Sequence, residues 1–178
     1  MGKVQISERY AKSLFELAQD EGVLDEVQAS LQDVGEMVRE VPPLGEFLHN
    51  PLLSVEERQQ VLKALFEKKV PALVQKFLLF INFKGRLNLL APIIEAFDDL
   101  YLRSHNRVRA VVQTALPLDK KQKEDICRHL NQKYAKEIVA DWQVEEGLLG
   151  GFRILVEGKL HDYSFTSQLE SFRQKVLQ

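Results

Sequence analysis

The chain has 178 residues, of which 45% are hydrophobic and 28% are charged. This length fits one domain or two small ones, and this composition excludes disorder along the whole chain. The 24 Lys and Arg residues against 26 Asp and Glu residues leave a net charge of −2, which disfavours a nucleic-acid-binding protein because such proteins usually carry a surplus of basic residues.

The sequence lacks the usual signs of secretion or of membrane insertion. Its single cysteine, Cys127, excludes an intrachain disulfide and is compatible with a reducing compartment. The N-terminus, MGKVQISERYAKS, has no apolar run of the signal-peptide type. The longest apolar run, residues 77–83, is far shorter than the roughly 20 residues that cross a bilayer. We therefore expect a soluble protein, and the lack of a transit peptide favours a bacterial or a processed form.

Helix signals dominate residues 1–105. Ser7 is a candidate cap of the first helix, and the pair Pro42–Pro43 stops the second. Ser54 and Glu57 have the spacing of a capping box, and Pro92 restarts or kinks the last helix. The predicted helices span about residues 7–22, 23–41, 44–50, 54–69, 71–85 and 87–105. Six helices with short connectors predict an N-terminal helical bundle over residues 1–105.

The first and fifth predicted helices carry more apolar surface than a one-sided surface helix. On a wheel at 100° per residue, the apolar side chains of the first helix cover about half of the circumference, against about 100° for a one-sided helix. They are Ile6, Tyr10, Ala11, Leu14, Phe15, Leu17 and Ala18. On the fifth helix, Leu79 and Phe83 point away from the side that holds Phe77. Two explanations stay open: both helices are central in the bundle, or a groove between them receives an amphipathic helix from another protein.

After Asn106 the apolar period changes to that of a strand. Alternation predicts strands within residues 107–118, 137–146 and 150–158. Asp119 and Gln122 cap a helix after the first strand. A last helix is predicted from about Phe165 to Leu177, with Ser164 as its cap and with inward-facing Leu169, Phe172 and Val176. The order β-α-β-β-α predicts a small domain over residues 106–178, so the fold class is α+β and mainly α.

The glycine-rich stretch EEGLLGGFRILVEGKLHDYS, residues 145–164, raises the question of a phosphate-binding loop. A Walker-type loop needs four residues between its glycine and the following Gly-Lys, whereas six residues separate Gly151 from Gly158. The dinucleotide-binding spacing is absent too, and a strand, not a helix, follows the glycines. The stretch therefore predicts a tight turn or bulge between two strands.

No other pattern indicates catalysis or a bound cofactor. The four histidines are scattered without metal-ligand spacing, so neither a metal nor a cofactor is predicted. Cys127 and His129 are two positions apart on a helix, where their side chains diverge. The remaining alternative is a small-molecule-binding or catalytic pocket in the C-terminal domain, around Gly150, Lys159 and His161-Asp162.

Three stretches carry a resemblance to a known family. They are RYAKSLFELA near the N-terminus, FINFKGRLNLLAPIIEAF at the end of the helical part, and EEGLLGGFRILVEGKLHDYSFTSQLESFRQ near the C-terminus. In this order and at this length the chain resembles the delta subunit of F-type ATP synthases, whose mitochondrial counterpart is the oligomycin-sensitivity-conferring protein.

This resemblance implies a non-catalytic peripheral-stalk (stator) subunit that joins the catalytic head to the b subunits and resists torque during ATP synthesis. It implies that the helical domain binds the N-terminal segment of an alpha subunit in a groove between the first and fifth helices. We expect that groove to be formed by Tyr10, Ala11, Leu14, Ala18, Phe77, Ile81 and Asn82. The C-terminal domain would bind the b subunits, and Gly150, Gly151 and Phe152 would be structural.

The same resemblance implies a location at the cytoplasmic side of a cell membrane. The contact with the membrane would be indirect, through the ATP synthase complex, and no nucleic acid would be bound. It implies no active site, metal or cofactor in this chain.

Overall fold

The computed structural model describes residues 2–50, 52–67 and 69–176. The protein is mainly helical with one small sheet of mixed strand direction, which is an α+β architecture. The chain divides into two compact units, Met1–Tyr101 and Leu102–Gln178. The boundary predicted at 105/106 lies four residues after this division. The division at 101/102 falls inside a continuous helix, where no sequence signal marks a boundary.

Helices account for nearly all of the described chain up to Ser104. They are α1 (Lys3–Asp20), α2 (Leu24–Glu40), α3 (Pro42–His49), α4 (Val55–Phe66), α5 (Ala72–Phe83) and α6 (Leu90–Ser104), with a 3₁₀ turn at Leu87–Leu89 before α6. None of the helices in the described ranges is both long enough and apolar enough to cross a membrane.

Local sequence signals explain most of these helix ends. The Ser54 side chain accepts a hydrogen bond from the Glu57 amide at 3.1 Å, and the Glu57 carboxylate accepts one from the Ser54 amide at 2.8 Å. This is the predicted capping box. The prolines after α2 occupy the first turn of α3, where a missing N–H costs nothing. The cap predicted at Ser7 is wrong: α1 begins four residues earlier, after Gly2, and Ser7 is buried within it.

The first unit has one apolar core, to which the 3₁₀ turn and all six helices contribute. Its fully buried large side chains include Leu14, Leu31, Leu62, Leu78, Ile81, Ile93 and Phe97. Each such side chain stabilises the fold by about 1.5–3 kcal/mol relative to an exposed one. The core therefore uses one face of α1 and of α5, and it leaves other apolar side chains of these helices uncovered.

The second unit contains a four-stranded sheet and two helices. The elements are β1 (Arg107–Thr114), α7 (Lys120–Tyr134), β2 (Glu137–Val144), β3 (Phe152–Val156), β4 (Lys159–Asp162) and α8 (Phe165–Val176). The strand order is β2-β1-β3-β4, with β1 parallel to β2 and antiparallel to β3. Strand β4 was not part of the predicted β-α-β-β-α order. It forms a short hairpin with β3, and its four residues are too few to show an alternating pattern.

The sheet packs one face against α7. Buried Val108, Ala110 and Val112 alternate along β1 as predicted, and Leu130 of α7 packs in the same core as Ile154 and Val156 of β3. The inward orientation predicted for α8 is wrong, since Leu169 and Phe172 are each 67% exposed. Val176, for which an inward position was predicted, is not among the side chains that the structure describes. Leu177, the predicted end of the helix, is not among the described residues.

Candidate functional site

A groove of about 590 Å³ lies between α1 and α5 in the first unit. From α1 it is lined by Ile6, Arg9, Tyr10, Ser13, Leu14 and Leu17, with Glu21 just beyond the end of the helix. From α5 it is lined by Leu73, Lys76, Phe77 and Phe80, with Arg86 after the helix. Concave sites with mostly apolar walls and a few charged groups are typical of binding surfaces.

The spacing of residues along α1 gives the helix two different apolar stripes. Ala11, Leu14 and Ala18 recur at intervals of three and four residues and face the core, each at most 1% exposed. Tyr10 and Leu17 belong to the neighbouring stripe, and Leu17 remains 50% exposed. The wide apolar arc read from the sequence therefore divides into a core face and a groove face, and Leu14 lies where the two meet.

Helix α5 is apolar around its whole circumference and also divides its faces. Val74, Leu78 and Ile81 are buried in the bundle core. Phe80 lines the groove and is 47% exposed, and Phe83, one turn later, is 70% exposed outside the groove. The half-exposed ring of Phe80 in the groove, on a helix whose other faces are buried, indicates a surface for a partner.

Tyr10 is the centre of an aromatic cluster in the groove. Its ring centroid lies 6.5 Å from that of Phe77 and 6.0 Å from that of Phe80, at the edge-to-face separations that aromatic pairs prefer. The Arg86 guanidinium donates a hydrogen bond from Nη1 to the Tyr10 hydroxyl at 3.0 Å, and its central carbon is 5.5 Å from the Tyr10 ring centroid. These contacts fix the aromatic wall before any partner binds.

The structure brings three of the seven predicted groove residues together at the groove, namely Tyr10, Leu14 and Phe77. The other predictions require correction. Ala11, Ala18 and Ile81 are fully buried in the bundle core and, unlike Leu14, do not belong to the groove lining. The helical wheel gives their angular position correctly but cannot say which neighbouring helix covers them.

Asn82 is also absent from the groove, and its side chain has a structural role. Its Oδ1 accepts a hydrogen bond from Arg58 Nε at 3.2 Å, and its Nδ2 donates to the Val55 carbonyl at 2.9 Å. Arg58 also donates to the Asn50 carbonyl at 3.1 Å. Because buried polar groups need such partners, Asn82 joins the end of α5 to the start of α4.

Several groove residues were missed by the sequence analysis, including Arg9, Lys76 and Arg86. A signal for the α1 side did exist, because Ile6, Tyr10, Ser13 and Leu17 recur at intervals of three and four and form one stripe. Arg86 carries no periodic signal, since it follows α5 in a turn and reaches Tyr10 through tertiary structure alone.

In the second unit, the glycine pair serves the shape of the chain. Gly151 has φ 79°, a left-handed conformation that favours glycine, and a side chain there would meet the Tyr163 carbonyl and Ser164. At Gly150 a side chain would meet the ring of Phe165. Phe152 then begins β3, and its carbonyl accepts a hydrogen bond from the Tyr163 amide at 2.9 Å. The close approach of β3 to the start of α8 therefore needs both glycines.

The polar residues of the alternative C-terminal pocket do not converge on one cavity. A depression of about 590 Å³ includes Gly150 and Phe165, but Lys159, His161 and Asp162 lie outside its lining. The His161 ring shares a hydrogen bond with the Tyr134 hydroxyl at 2.6 Å. Hydrogen bonds from Ser164, followed by the interaction with Arg153, lower the pKa of Asp162 below its usual value. Asp162 thus organises the turn before α8.

Ser164 completes this turn as the cap of α8. Its amide donates to the Asp162 carboxylate at 2.8 Å, and its hydroxyl accepts from the Ser167 amide at 3.3 Å. The predicted cap is thereby confirmed. Among the residues that the structure describes, no three His, Cys, Asp or Glu side chains gather into a possible metal site.

Comparisons with known proteins agree over nearly the full length of the chain. The family described as ATP synthase delta (OSCP) subunit matches residues 6–176. The ATP synthase subunit delta of Clostridium kluyveri is 27% identical over 172 residues, covering 97% of this chain and 95% of the relative. The ATP synthase subunit delta of Clostridium botulinum strain Langeland is 25% identical, covering 97% of this chain and 96% of the relative.

Among solved structures, a chain of the Toxoplasma gondii mitochondrial ATP synthase hexamer has a similar fold. Its TM-score is 0.81 at 22% identity, and 97% of each chain is covered.

Proposed function

Because the chain belongs to the ATP synthase delta (OSCP) subunit family, we propose that its groove between α1 and α5 binds the N-terminal segment of the alpha subunit. The chain is a non-catalytic peripheral-stalk subunit of an F-type ATP synthase.

Exposed apolar side chains on both walls of the groove support binding of the alpha-subunit segment. Leu17 and Phe80 remain about half exposed on opposite walls, although both helices have other faces buried in the core. An amphipathic helix laid between these walls would bury them, and each large side chain so covered contributes about 1.5–3 kcal/mol before the costs of association. A helix in a groove is a common recognition mode for such a surface.

The second part of the proposal is that α8 contacts the b subunits. Phe165, Leu169 and Phe172 recur at intervals of four and three and form one stripe, and each is at least 57% exposed. The depression beside the start of α8 adds Leu149 and Leu116, which are also exposed. A contiguous apolar surface of this kind is rarely left uncovered in a complex.

With both surfaces occupied, the chain joins the catalytic head to the peripheral stalk. The head is then held stationary while the rotor turns within it, so torque drives ATP synthesis and does not rotate the head. We place the chain on the cytoplasmic side of a bacterial cell membrane, in contact with the membrane only through the complex.

Calorimetric titration of the full chain with a peptide from the alpha-subunit N-terminus tests the first contact. We expect saturable binding that weakens about tenfold or more in Phe80→Glu, because a charge then replaces a groove wall. Phe83→Glu is the matched control, since Phe83 lies one turn further along α5 and outside the groove. An equal loss of affinity in the two variants, or no binding of the peptide by the folded chain, would contradict binding in the groove.

The second contact is tested by capture of the C-terminal segment of the b subunit on the immobilised full chain. We expect Phe172→Ser to reduce the captured amount severalfold, because the stripe loses one of its large side chains. Thr166→Ser, in an exposed position of the same helix, should leave capture unchanged. Undiminished capture by Phe172→Ser would show that the b subunits bind elsewhere.

A further inference from the structure

The groove between α1 and α5 has a charge that differs in sign from the chain around it. Residues 1–105 hold 12 Lys and Arg residues against 16 Asp and Glu residues, a net charge of −4. The groove lining, in contrast, holds Arg9, Lys76 and Arg86 and one carboxylate, that of Glu21. A basic surface within an acidic unit does not follow from average composition, and it favours an acidic partner.

These charges are distributed unevenly along the groove. Arg9 is in the first half of α1, and Glu21 follows the end of that helix, which places them about 18 Å apart at 1.5 Å per residue. Arg86 follows the end of α5 and bonds to Tyr10, so Arg9 and Arg86 share one end of the groove. Lys76 precedes Phe77, whose ring centroid lies 6.5 Å from that of Tyr10, so Lys76 lies at the level of the aromatic cluster and not at that of Glu21. The three basic residues of the lining are therefore grouped around Tyr10, and its one carboxylate lies beyond the far end of α1.

Arg86 is suited to hold a partner carboxylate without leaving its present position. A guanidinium presents five N–H donors, and the bond to the Tyr10 hydroxyl uses one of them. The contact with Tyr10 also orients the planar group at the edge of the aromatic wall. Charge-assisted hydrogen bonds of this kind are stronger than neutral ones.

We propose that the groove selects an amphipathic helix whose apolar stripe is flanked, at the end facing Arg9 and Arg86, by acidic side chains. This inference rests on the proposed function, because it specifies the partner of the same groove. The apolar stripe provides affinity, and the acidic flank sets the direction of the helix and excludes basic competitors.

The test uses the full chain and two synthetic helical peptides with blocked termini. Both carry the same stripe of Leu and Ile at intervals of three and four residues, and they differ only in Glu or Lys at the flanking positions. In titration calorimetry at about 50 mM salt, where screening is weak, we expect the Glu peptide to bind roughly tenfold more tightly, as two or three exposed ion pairs allow. The difference should nearly vanish at about 1 M salt.

A charge reversal then locates the effect at the predicted end of the groove. Arg86→Glu should reduce or reverse the preference for the Glu peptide. Lys12→Glu is the matched control, because Lys12 lies on the same helix as Tyr10, pairs with Glu16 and does not line the groove. It should leave the preference unchanged, and circular dichroism verifies that both variants are folded.

The outcomes separate this inference from the proposed function. Equal, salt-independent binding of the two peptides to the unmodified chain would overturn the acidic-flank inference and leave the groove as an apolar binding site. An equal effect of Lys12→Glu and Arg86→Glu would also overturn it, since the overall charge would then be responsible. Binding of neither synthetic peptide would overturn the acidic-flank inference alone, because the proposed use of the groove is decided separately by the titration with the alpha-subunit peptide.

Discussion

Ala135 ends α7 with backbone angles of φ 51° and ψ 33°, a left-handed conformation that costs a non-glycine residue about 1–2 kcal/mol. Glycine commonly occupies this position after a helix. We expect Ala135→Gly to raise the free energy of unfolding of the second unit by about 1 kcal/mol. Urea titration followed by the fluorescence of Trp142, the single tryptophan of the chain, measures the change within this unit.

The control for Ala135→Gly is His129→Gly, which places the same residue in the exposed interior of α7. Glycine in a helix interior destabilises it by about 1 kcal/mol, so the two variants should change stability in opposite directions. Destabilisation by both would show that Ala135 is not strained.

The lowered pKa of Asp162 predicts how the stability of the second unit depends on pH. Hydrogen bonds from Ser164 and the interaction with Arg153 lower its pKa in the folded state below the ordinary value of 3.8. A lowered folded-state pKa means that Asp162 stabilises the fold fully above the unfolded pKa, and that this contribution is lost as the pH falls through the folded pKa. The difference in free energy of unfolding between the unmodified chain and Asp162→Asn should therefore be constant near neutral pH and shrink below pH 3.8.

Urea titrations across this pH range, followed by Trp142 fluorescence, measure the dependence. Asp141→Asn, at an exposed carboxylate on β2, gives the baseline for removal of one charge. If the difference for Asp162→Asn stays constant down to the lowest pH at which the chain folds, the assignment of the lowered pKa is wrong.

Helix α1 has a core face and a groove face in neighbouring residues. Ala18 is fully buried and Leu17 is half exposed in the groove. Ala18→Leu should destabilise the first unit by about 1–3 kcal/mol, because a full core cannot accept the added volume. Leu17→Ser should cost much less stability and instead weaken binding of the alpha-subunit peptide.

Thermal unfolding followed by circular dichroism and peptide titration together test this division of α1. The two variants serve as controls for each other, since one should change stability and the other affinity. A loss of stability in Leu17→Ser as large as that in Ala18→Leu would mean that both stripes of α1 belong to the core.

The sequence predicted the apolar arc of α1 and the all-round apolar character of α5, but not the division of their faces. A helical wheel gives only the angle of each residue around its helix. Ala11 and Ala18 fall within the apolar arc of α1 as Tyr10 does, and Ile81 is one of the apolar residues of α5. Burial depends on which helix packs at which angle, a property of the whole bundle. For α8 the pattern was correct and the direction wrong, because an amphipathic stripe can face a partner as readily as a core.

The two proposed surfaces lie on different units of the chain. We therefore expect the full chain to bind an alpha-subunit peptide and a b-subunit segment simultaneously, as a connector must. Sedimentation of the mixture should show a complex of all three components. Displacement of one ligand by the other would contradict the stator role proposed for these surfaces.

The α+β class, most helix and strand positions, the capping box at Ser54 and the need for glycine before β3 can be predicted from the sequence, because these features depend on neighbouring residues. The sequence also carried the family resemblance, since the motifs occur in order along nearly the whole chain. Tertiary packing sets which apolar side chains stay exposed, brings Arg86 to Tyr10, and leaves Leu169 and Phe172 of α8 exposed. These facts depend on contacts between residues far apart in sequence, where the packing of elements decides what is covered.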